Sequence, residues 1–305
     1  MIRYVAVLMK TCLGILIISA CGSAGEDFCV QYCSETDDPD KSAFQATAET
    51  VLTSTKSTEF RSSNRSYLER TGENDVGSMF QPGRKFSLSF WYKRSSSSGA
   101  GTQNLFINGN NTGLLVQASN KALYIKWGDN TDYLTWRTRD NLIHDSDWNH
   151  IAIIYNGEKL GGDQTEYNDK VYHKNLSIYF NATKLEQGSG DLTNLGGRNN
   201  GISATSLGGT PFRVGIGYNT SNYGNFLLDE VTVWDVDLAA EDIGVLHNLG
   251  APSHPAKPNK QENLYAWWRM GEGEDTFAKI NDLSGNKRHL TGKTELVGVG
   301  VEESE

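Results

Sequence analysis

Short runs in which apolar and polar residues alternate recur along most of the chain, separated by Gly, Asn, Asp and Ser. A period of two, with many β-branched and aromatic residues, is typical of strands that bury one face. Such runs predict strands at residues 86–92, 114–117, 122–127, 148–155, 176–180, 212–216, 226–234 and 264–270.

One segment carries a helical pattern instead. Residues 237–250 open on Asp237, bring Ile243 and Leu246 onto one face and end at Gly250. Asp is a favoured helix N-cap and Gly a common stop, so the pattern predicts a helix. Many short strands with one short helix near the C-terminal part predict an all-β fold, a two-sheet antiparallel jelly-roll sandwich.

The tryptophans on these strands are expected to form the core. Trp91, Trp148 and Trp234 lie on alternating runs, and large aromatic side chains bury much area where no disulfide supports the fold. Trp267 and Trp268 are adjacent on one strand and therefore point to opposite faces. One of these two must leave the core, either covered by loop residues or exposed.

The first twenty residues have the pattern of an export signal. Arg3 and Lys10 supply positive charge, residues 11–20 form a short apolar run, and small residues precede Cys21. The run is shorter than the about 20 apolar residues of a spanning helix. Residues 18–21 resemble a bacterial lipobox, which implies that Cys21 carries a lipid anchor. The alternative is an ordinary secretory signal that is cut nearby.

The next segment predicts a tether. Residues 21–56 are acidic and rich in Ser and Thr without apolar periodicity, which is typical of a flexible linker. Gly22, which follows the cysteine, favours the outer membrane or cell surface by resemblance to bacterial lipoproteins. The strand-rich domain then spans residues 57–297, and residues 298–305 form an acidic tail.

The net charge and the cysteine content limit the classes of partner and of metal site that the sequence predicts. The formal net charge is −9, and loss of the signal would remove two further positive charges, which argues against nucleic acid as a partner. Cys29 and Cys33 could form a disulfide in an oxidising compartment, although the bridge would be local. No His or further Cys stands close enough to them to indicate zinc.

The order of several segments resembles a laminin G-like domain of the concanavalin A-like lectin/glucanase superfamily. The resemblance rests on residues 86–94, 145–157, 176–185, 226–250 and 264–292, and it covers about residues 57–297. It implies a jelly roll of two stacked antiparallel sheets. It does not indicate a particular ligand.

Catalysis is not indicated by the sequence. Retaining glycosidases of the superfamily carry alternating carboxylates on one strand, and no segment of this chain has that pattern. The histidines have neither a Gly-x-Ser-x-Gly partner nor a paired metal spacing.

Calcium is an expected cofactor by resemblance, because laminin G-like domains often bind it through Asp and Asn oxygens. Asp229 stands at the acidic position of the family pattern, and Asp129 lies in an oxygen-rich segment with Asn130. The early acidic motif of the family is replaced by a segment with Arg61 and Arg65, which weakens any site built there.

Glycan recognition is expected from two segments predicted to be loops, residues 128–139 and 217–225. Both mix aromatic residues with Asn, Asp and Arg, which stack on sugars and hydrogen-bond to them. The candidate ligand-binding residues are Trp127, Tyr133, Trp136, Tyr218 and Tyr223.

The sequence therefore favours a non-catalytic, surface-tethered binding or adhesion module of the bacterial outer membrane or cell surface that recognises a glycan or a surface protein. Two alternatives remain open at this point. One is a structural protein of an envelope or phage-like assembly, and the other is a divergent glycan hydrolase.

Overall fold

A computed structural model of the whole chain shows the fold. It describes short strand pairs before residue 32 and, beyond them, residues 54, 56–71, 76–95, 101–109, 113–129, 131–144, 147–158, 171, 173–187, 189–198, 202, 211–217, 223–247, 260–276 and 278–294.

The chain divides into two compact units, Met1–Val51 and Leu52–Glu305. In the first unit, β1 (Lys10–Thr11) pairs with β2 (Gly14–Ile15), and β3 (Ile17–Ala20) pairs with β4 (Phe28–Gln31), both antiparallel. Among the residues that are described, no helix is long and apolar enough to cross a membrane.

The second unit is built almost entirely of strands, with one α-helix, α1 (Ala240–His247), among its described residues. In chain order its strands are β5 (Thr58–Phe60), β6 (Ser66–Arg70), β7 (Phe86–Arg94), β8 (Gln103–Asn108), β9 (Gly113–Ser119), β10 (Ala122–Gly128), β11 (Tyr133–Thr138), β12 (Asn149–Tyr155), β13 (Leu176–Phe180), β14 (Thr183–Lys184), β15 (Leu192–Arg198), β16 (Phe212–Val214), β17 (Phe226–Trp234), β18 (Leu264–Trp268), β19 (Lys279–Ile280) and β20 (Leu290–Thr294).

These strands form two antiparallel sheets. The nine-stranded sheet has the order β15-β11-β10-β9-β8-β16-β6-β20-β19, and the seven-stranded sheet has the order β14-β13-β12-β7-β17-β18 with β5 added on β17. Strands distant in sequence are neighbours in both sheets, as in a jelly roll. The predicted all-β two-sheet sandwich with one short helix is confirmed.

The core lies between the sheets, and the alternation of the strands places residues there. On β7, Phe86, Leu88 and Phe90 are fully buried in the main core, while Ser87 and Ser89 between them point away from it. Because successive side chains of a strand point to opposite faces, this pattern fixes which face each residue joins.

A second apolar cluster covers the other face of the seven-stranded sheet. There Ile243 and Leu246 of α1 pack over Trp234 and Trp267. The amide of Ala239 donates to Asp242 Oδ2 (2.9 Å) at the start of the helix. Asp237, expected as the N-cap, instead pairs with Lys85 at 2.9 Å, three residues before the helix begins.

The five tryptophans discussed above divide between these environments. Trp268 is fully buried in the main core and Trp267 lies under α1, so the two point to opposite faces as predicted. Trp91 and Trp234 are buried on the helix-covered face rather than between the sheets. Trp148 is only half-buried, with the Lys93 ammonium 5.9 Å from its ring, so its assignment to the core is wrong. Trp148 lies immediately before β12 and is therefore outside the strand pairing that positions the residues of β12.

One segment interpreted as a loop contains a strand. Residues 133–138 form β11, which pairs with both β10 and β15. The polar residues of this segment resemble those of a loop, and the pairing that makes it a strand depends on residues elsewhere in the chain.

Candidate functional site

The hairpin between β10 and β11 brings several of the candidate ligand-binding residues together. Gly128 has φ +135°, a conformation that L side chains rarely adopt, at the point where the chain leaves β10. Asp129 Oδ1 then accepts hydrogen bonds from the amides of Thr131 and Asp132, both at 2.6 Å. The chain leaves this turn at Tyr133, which is the first residue of β11.

Trp127 and Trp136 lie on these two strands, and both are fully buried between the sheets. Trp127 donates from Nε1 to the carbonyl of Phe80 (3.1 Å), and its ring packs edge-on against Tyr155 with centroids 4.7 Å apart. A ring that no solvent reaches cannot stack on a sugar. The expectation that these two tryptophans bind a ligand is therefore wrong, because the odd-numbered residues of β10 from 123 to 127 and the even-numbered residues of β11 face the core.

The opposite face of the same strands carries a partly exposed polar and aromatic surface, here called the outer-face patch. It consists of Gln117 on β9, Tyr124 and Lys126 on β10, and Tyr133 and Arg137 on β11. Tyr124 is directly opposite Gln117 on one neighbour and Arg137 on the other. Side chains at such paired positions lie close together on one face.

Contacts within the patch define its shape. The Lys126 Nζ lies 4.4 Å from the centroid of the Tyr133 ring, within cation–π range. Burial lowers the pKa of Lys126, while the nearby Asp129 carboxylate opposes that shift. Burial raises the pKa of Tyr124, and neighbouring Tyr133 adds to the rise. Gln117 Nε2 donates to Asn104 Oδ1 on β8 at 2.6 Å, which orients the amide.

The patch was missed from the sequence except for Tyr133. Lys126 and Trp127 are neighbours in a run that was correctly predicted to be a strand, and the period of two puts them on opposite faces. The sequence did contain a signal for Tyr124 and Lys126. They alternate with Leu123, Ile125 and Trp127, which are buried, and therefore lie on the opposite face of the strand.

Tyr223 does not join the patch in the described structure. Tyr223 is partly buried and lies just before β17 of the seven-stranded sheet, whereas Tyr133 belongs to the nine-stranded sheet. Tyr218 lies outside the described residues, so its assignment remains a prediction.

The acidic pair Asp229 and Glu230 lies at a β-bulge in β17, where the register against β7 shifts between Asp229 and Thr232. Glu230 has φ +43°, which is uncommon for a residue with a side chain and costs energy that its contacts must offset. Its two carboxylate oxygens accept from Trp267 Nε1 (2.7 Å) and Arg269 Nε (2.8 Å). Both acids are nearly inaccessible, at 2% and 4% exposure.

The surroundings of Asp229 shift its pKa away from that of an ordinary surface acid. Burial, together with the adjacent Glu230, raises the pKa of Asp229 to about 9. Its Oδ1 accepts from Ser54 Oγ (3.0 Å) and from the amide of Glu230 (2.8 Å), which oppose the shift. Ser54 also lies 3.3 Å from Glu272 Oε1, so the start of the domain contacts two acids.

This environment does not fit the expected calcium site. Calcium prefers six to eight oxygens, whereas the Asp229 carboxylate is buried and accepts from Ser54, and the Glu230 carboxylate is already paired with a guanidinium. Asp129, the second expected ligand, caps its own turn in the other sheet. Within the described part of the chain, no three His, Cys, Asp or Glu side chains cluster as metal ligands.

His150 is a buried residue of β12. The His150 ring nitrogen Nε2 lies 2.8 Å from Ser89 Oγ, and the ring packs against Trp91 with centroids 5.2 Å apart. Burial, with a smaller contribution from His247, lowers the pKa of His150 to about 3. The residue is 1% exposed, so this Ser–His pair serves packing and not substrate chemistry.

The predicted anchor and disulfide fall mostly outside the described residues. Cys21 and Cys33 are not among them, and for Cys29 only the backbone in β4 is described, opposite Ser19. Both assignments therefore remain predictions.

Several solved structures are similar in part. The structure of a candidate carbohydrate-binding protein from Bacteroides ovatus has 18% identity and a TM-score of 0.48, and the match covers 83% of this chain and 62% of that protein. The receptor-binding domain of botulinum neurotoxin mosaic serotype C/D has 14% identity and a TM-score of 0.43, covering 64% and 42%. A botulinum neurotoxin DC binding domain in complex with rat synaptotagmin II has 13% identity and a TM-score of 0.38, covering 60% and 42%. The chain thus spans less than two thirds of each of these proteins.

Sequence comparison places the chain more firmly than these structural similarities do. No curated protein sequence matches it. A laminin G family model, described as concanavalin A-like lectin/glucanases superfamily, matches residues 71–244, which is more than half of the chain and includes β7 to β17. The resemblance seen in the strand motifs is confirmed, and the chain belongs to the concanavalin A-like lectin/glucanase superfamily.

Proposed function

We propose that the chain is a non-catalytic binding module that holds a glycan on the outer-face patch. The observation that carries this proposal is the arrangement of two partly exposed tyrosines beside an amide, an ammonium and a guanidinium on adjacent strands. Sugars pack their C–H faces on aromatic rings and hydrogen-bond through their hydroxyls to such groups. The strand ladder holds the patch in place, which lowers the entropy lost on binding.

The carboxylates support a binding role over hydrolysis. A retaining glycosidase needs two carboxylates about 5–5.5 Å apart at the substrate. The adjacent acids Asp229 and Glu230 are buried, and their carboxylates accept hydrogen bonds from Ser54, Trp267 and Arg269. Neither acid reaches a surface on which a sugar could lie.

Display at a bacterial surface belongs to the same proposal. The signal-like residues 1–20 and the lipobox-like residues 18–21 support acylation of Cys21 and attachment to the outer membrane or cell surface. Mass spectrometry of the membrane fraction is expected to find an N-terminal peptide that begins with lipidated Cys21. An unmodified Cys21, or cleavage at another residue, would leave simple secretion.

The glycan proposal is tested by array binding of the full chain and two variants. Tyr133→Ala removes the ring under Lys126 and is expected to weaken binding of the best array glycan at least about tenfold. Tyr67→Ala is the matched control, since this partly exposed tyrosine lies on β6 of the same sheet, also with a basic side chain (Arg213, 6.0 Å) over its ring. Its glycan affinity is expected to be unchanged.

Three results would contradict the proposal. Equal glycan affinity of the wild type and Tyr133→Ala would exclude the patch, and equal losses in both variants would indicate a general disturbance of the sheet. The absence of any array signal, together with capture of a surface protein that depends on Tyr133, would assign the patch to protein recognition.

A further inference from the structure

Two tight turns at the β18 edge of the seven-stranded sheet each present an arginine to the same tyrosine. In the first turn, the amide of Arg84 donates to the carbonyl of Gln81 (3.2 Å), and Gly83 has φ +84°. Pro followed by Gly at the two central positions is the sequence preference of a type II turn. The exposed guanidinium of Arg84 lies 5.5 Å from the centroid of Tyr265.

The second turn, residues 282–288, is organised by a buried carboxylate. Asp282 accepts from the amides of Ser284 (3.0 Å) and Arg288 (2.7 Å) as well as from the amide of Trp267. The Arg288 side chain donates from Nη1 to the carbonyl of Tyr265 (3.0 Å), and its Cζ lies 3.6 Å from the ring centroid. Both guanidinium groups are thus positioned against one ring.

The two turns, residues 81–84 and 282–288, carry three cations and one acid, although the chain as a whole is acidic. Arg84 and Lys287 are exposed and form no ion pair with any described residue. Asp282, the carboxylate of the second turn, is 6% exposed and already accepts three amides. Leu283, at the tip of this turn, is 49% exposed. We call Arg84, Tyr265, Leu283, Lys287 and Arg288 the basic patch.

We propose that the basic patch is a second binding site, separate from the outer-face patch, and that it takes an acidic polysaccharide bearing sulfate, phosphate or carboxylate groups. Guanidinium groups bind such oxyanions with two parallel hydrogen bonds, and here the turns and Tyr265 hold them in place before the ligand arrives. Nothing in this inference depends on the outer-face patch.

Charge and shape favour a polysaccharide over an anionic membrane. A membrane would face a broad area of a chain whose net charge is −9, so repulsion would offset the attraction of a few cations. Interfacial binding also needs buried apolar area, and the basic patch offers one exposed leucine. A single polysaccharide chain is narrow enough to contact the basic patch without facing the rest of the acidic surface.

The test measures binding of the full chain to immobilised dextran sulfate, with neutral dextran as the uncharged reference. The double variant Arg84→Gln/Lys287→Gln is expected to bind dextran sulfate at least tenfold more weakly than the wild type. Lys184→Gln is the control, because Lys184 is an exposed cation on β14, at the opposite edge of the same sheet. It is expected to bind as the wild type does, as is Tyr133→Ala.

Four results with dextran sulfate and neutral dextran would overturn the proposal. They are equal binding by the double variant and the wild type, an equal loss in Lys184→Gln, loss in Tyr133→Ala, and equal binding to neutral dextran. Vesicles of phosphatidylglycerol and phosphatidylcholine form the last arm. Binding to them that requires Arg84 and Lys287, without binding to dextran sulfate, would show that the partner is a membrane.

Discussion

At the scale of single residues, neighbours on one strand have opposite roles. Lys126 lies on the outer-face patch while Trp127 fills the core, and Trp267 lies under α1 while Trp268 lies between the sheets. A Trp to Ala change at a fully buried position costs about 3–5 kcal/mol of stability. Loss of binding on mutation of Trp136 would therefore report unfolding rather than ligand contact.

The raised pKa of Asp229 predicts a pH dependence of stability. The folded chain keeps the proton up to about pH 9, whereas an unfolded Asp releases it near the ordinary aspartate pKa of 3.8. Stability from this group is therefore complete below pH 4 and is lost as pH rises towards 9. Asp229→Asn keeps the acceptor oxygen for Ser54 without an ionisable proton.

We expect the thermal midpoint of Asp229→Asn to exceed that of the wild type by an amount that grows from pH 5 to pH 9. Circular dichroism melts of both proteins at pH 5, 7 and 9 measure this difference. A constant difference across the series would show that Asp229 ionises in the folded state as it does in the unfolded one.

At the scale of elements, the β10–β11 hairpin decides where the outer-face patch lies. Its turn depends on Gly128, at which an added Cβ would lie 2.2 Å from the carbonyl oxygen of Asp132 and 2.5 Å from the Cα of Tyr133. These are backbone atoms, so the conflict can be relieved only by moving the turn. The hairpin therefore couples backbone strain at Gly128 to the position of Tyr133.

Gly128→Ala is accordingly expected to lower the free energy of unfolding by more than about 1 kcal/mol and to weaken glycan binding together with it. Gly244→Ala is the control, since Gly244 is an exposed residue of α1 with open space at its Cβ. Alanine there is expected to raise stability by about 1 kcal/mol. Urea unfolding measures both changes, and a neutral Gly128→Ala would contradict the turn geometry.

At the scale of the whole molecule, the domain begins with contacts that precede its first strand. Ser54 bonds to Asp229, and the amide of Lys56 donates to Glu272 Oε1 (2.7 Å), before β5 pairs with β17. Removal of residues 1–51 leaves these contacts in place, whereas removal of residues 1–56 deletes them. Buried or partly buried acceptors that lose a donor cost about 1–3 kcal/mol.

The shorter deletion is therefore expected to keep the melting temperature of the full chain, and the longer one to lower it. Differential scanning calorimetry of the two truncated chains measures the difference. Equal melting temperatures would show that Ser54 and Lys56 add nothing to the stability of the domain.

Local pattern was sufficient for much of the architecture. The strand at residues 226–234 and the strand at residues 176–180 were predicted with their observed bounds, because each alternates apolar and polar positions over its length. The motifs of these same strands carried the family assignment, which the family model confirms. The period of two also predicted correctly that Trp267 and Trp268 point to opposite faces of the sheet.

The candidate binding surface could be located only in the tertiary structure. Tyr133 is partly exposed, whereas Trp136, which was chosen with it because residues 128–139 were interpreted as a loop, is buried. Only pairing with β10 and β15 makes that segment a strand, and strand pairing depends on partners that are distant in sequence. The basic patch has the same origin, since Arg84, Tyr265 and Arg288 come from three separate segments.

The sequence alone therefore determined the secondary-structure periods, the all-β class and the family, because these depend on neighbouring residues along the chain. The tertiary structure alone decided the exposure of the aromatic rings, the buried state of Asp229 and the meeting of two arginines at Tyr265. Solvent access and electrostatic environment are properties of three-dimensional packing, which no local pattern records.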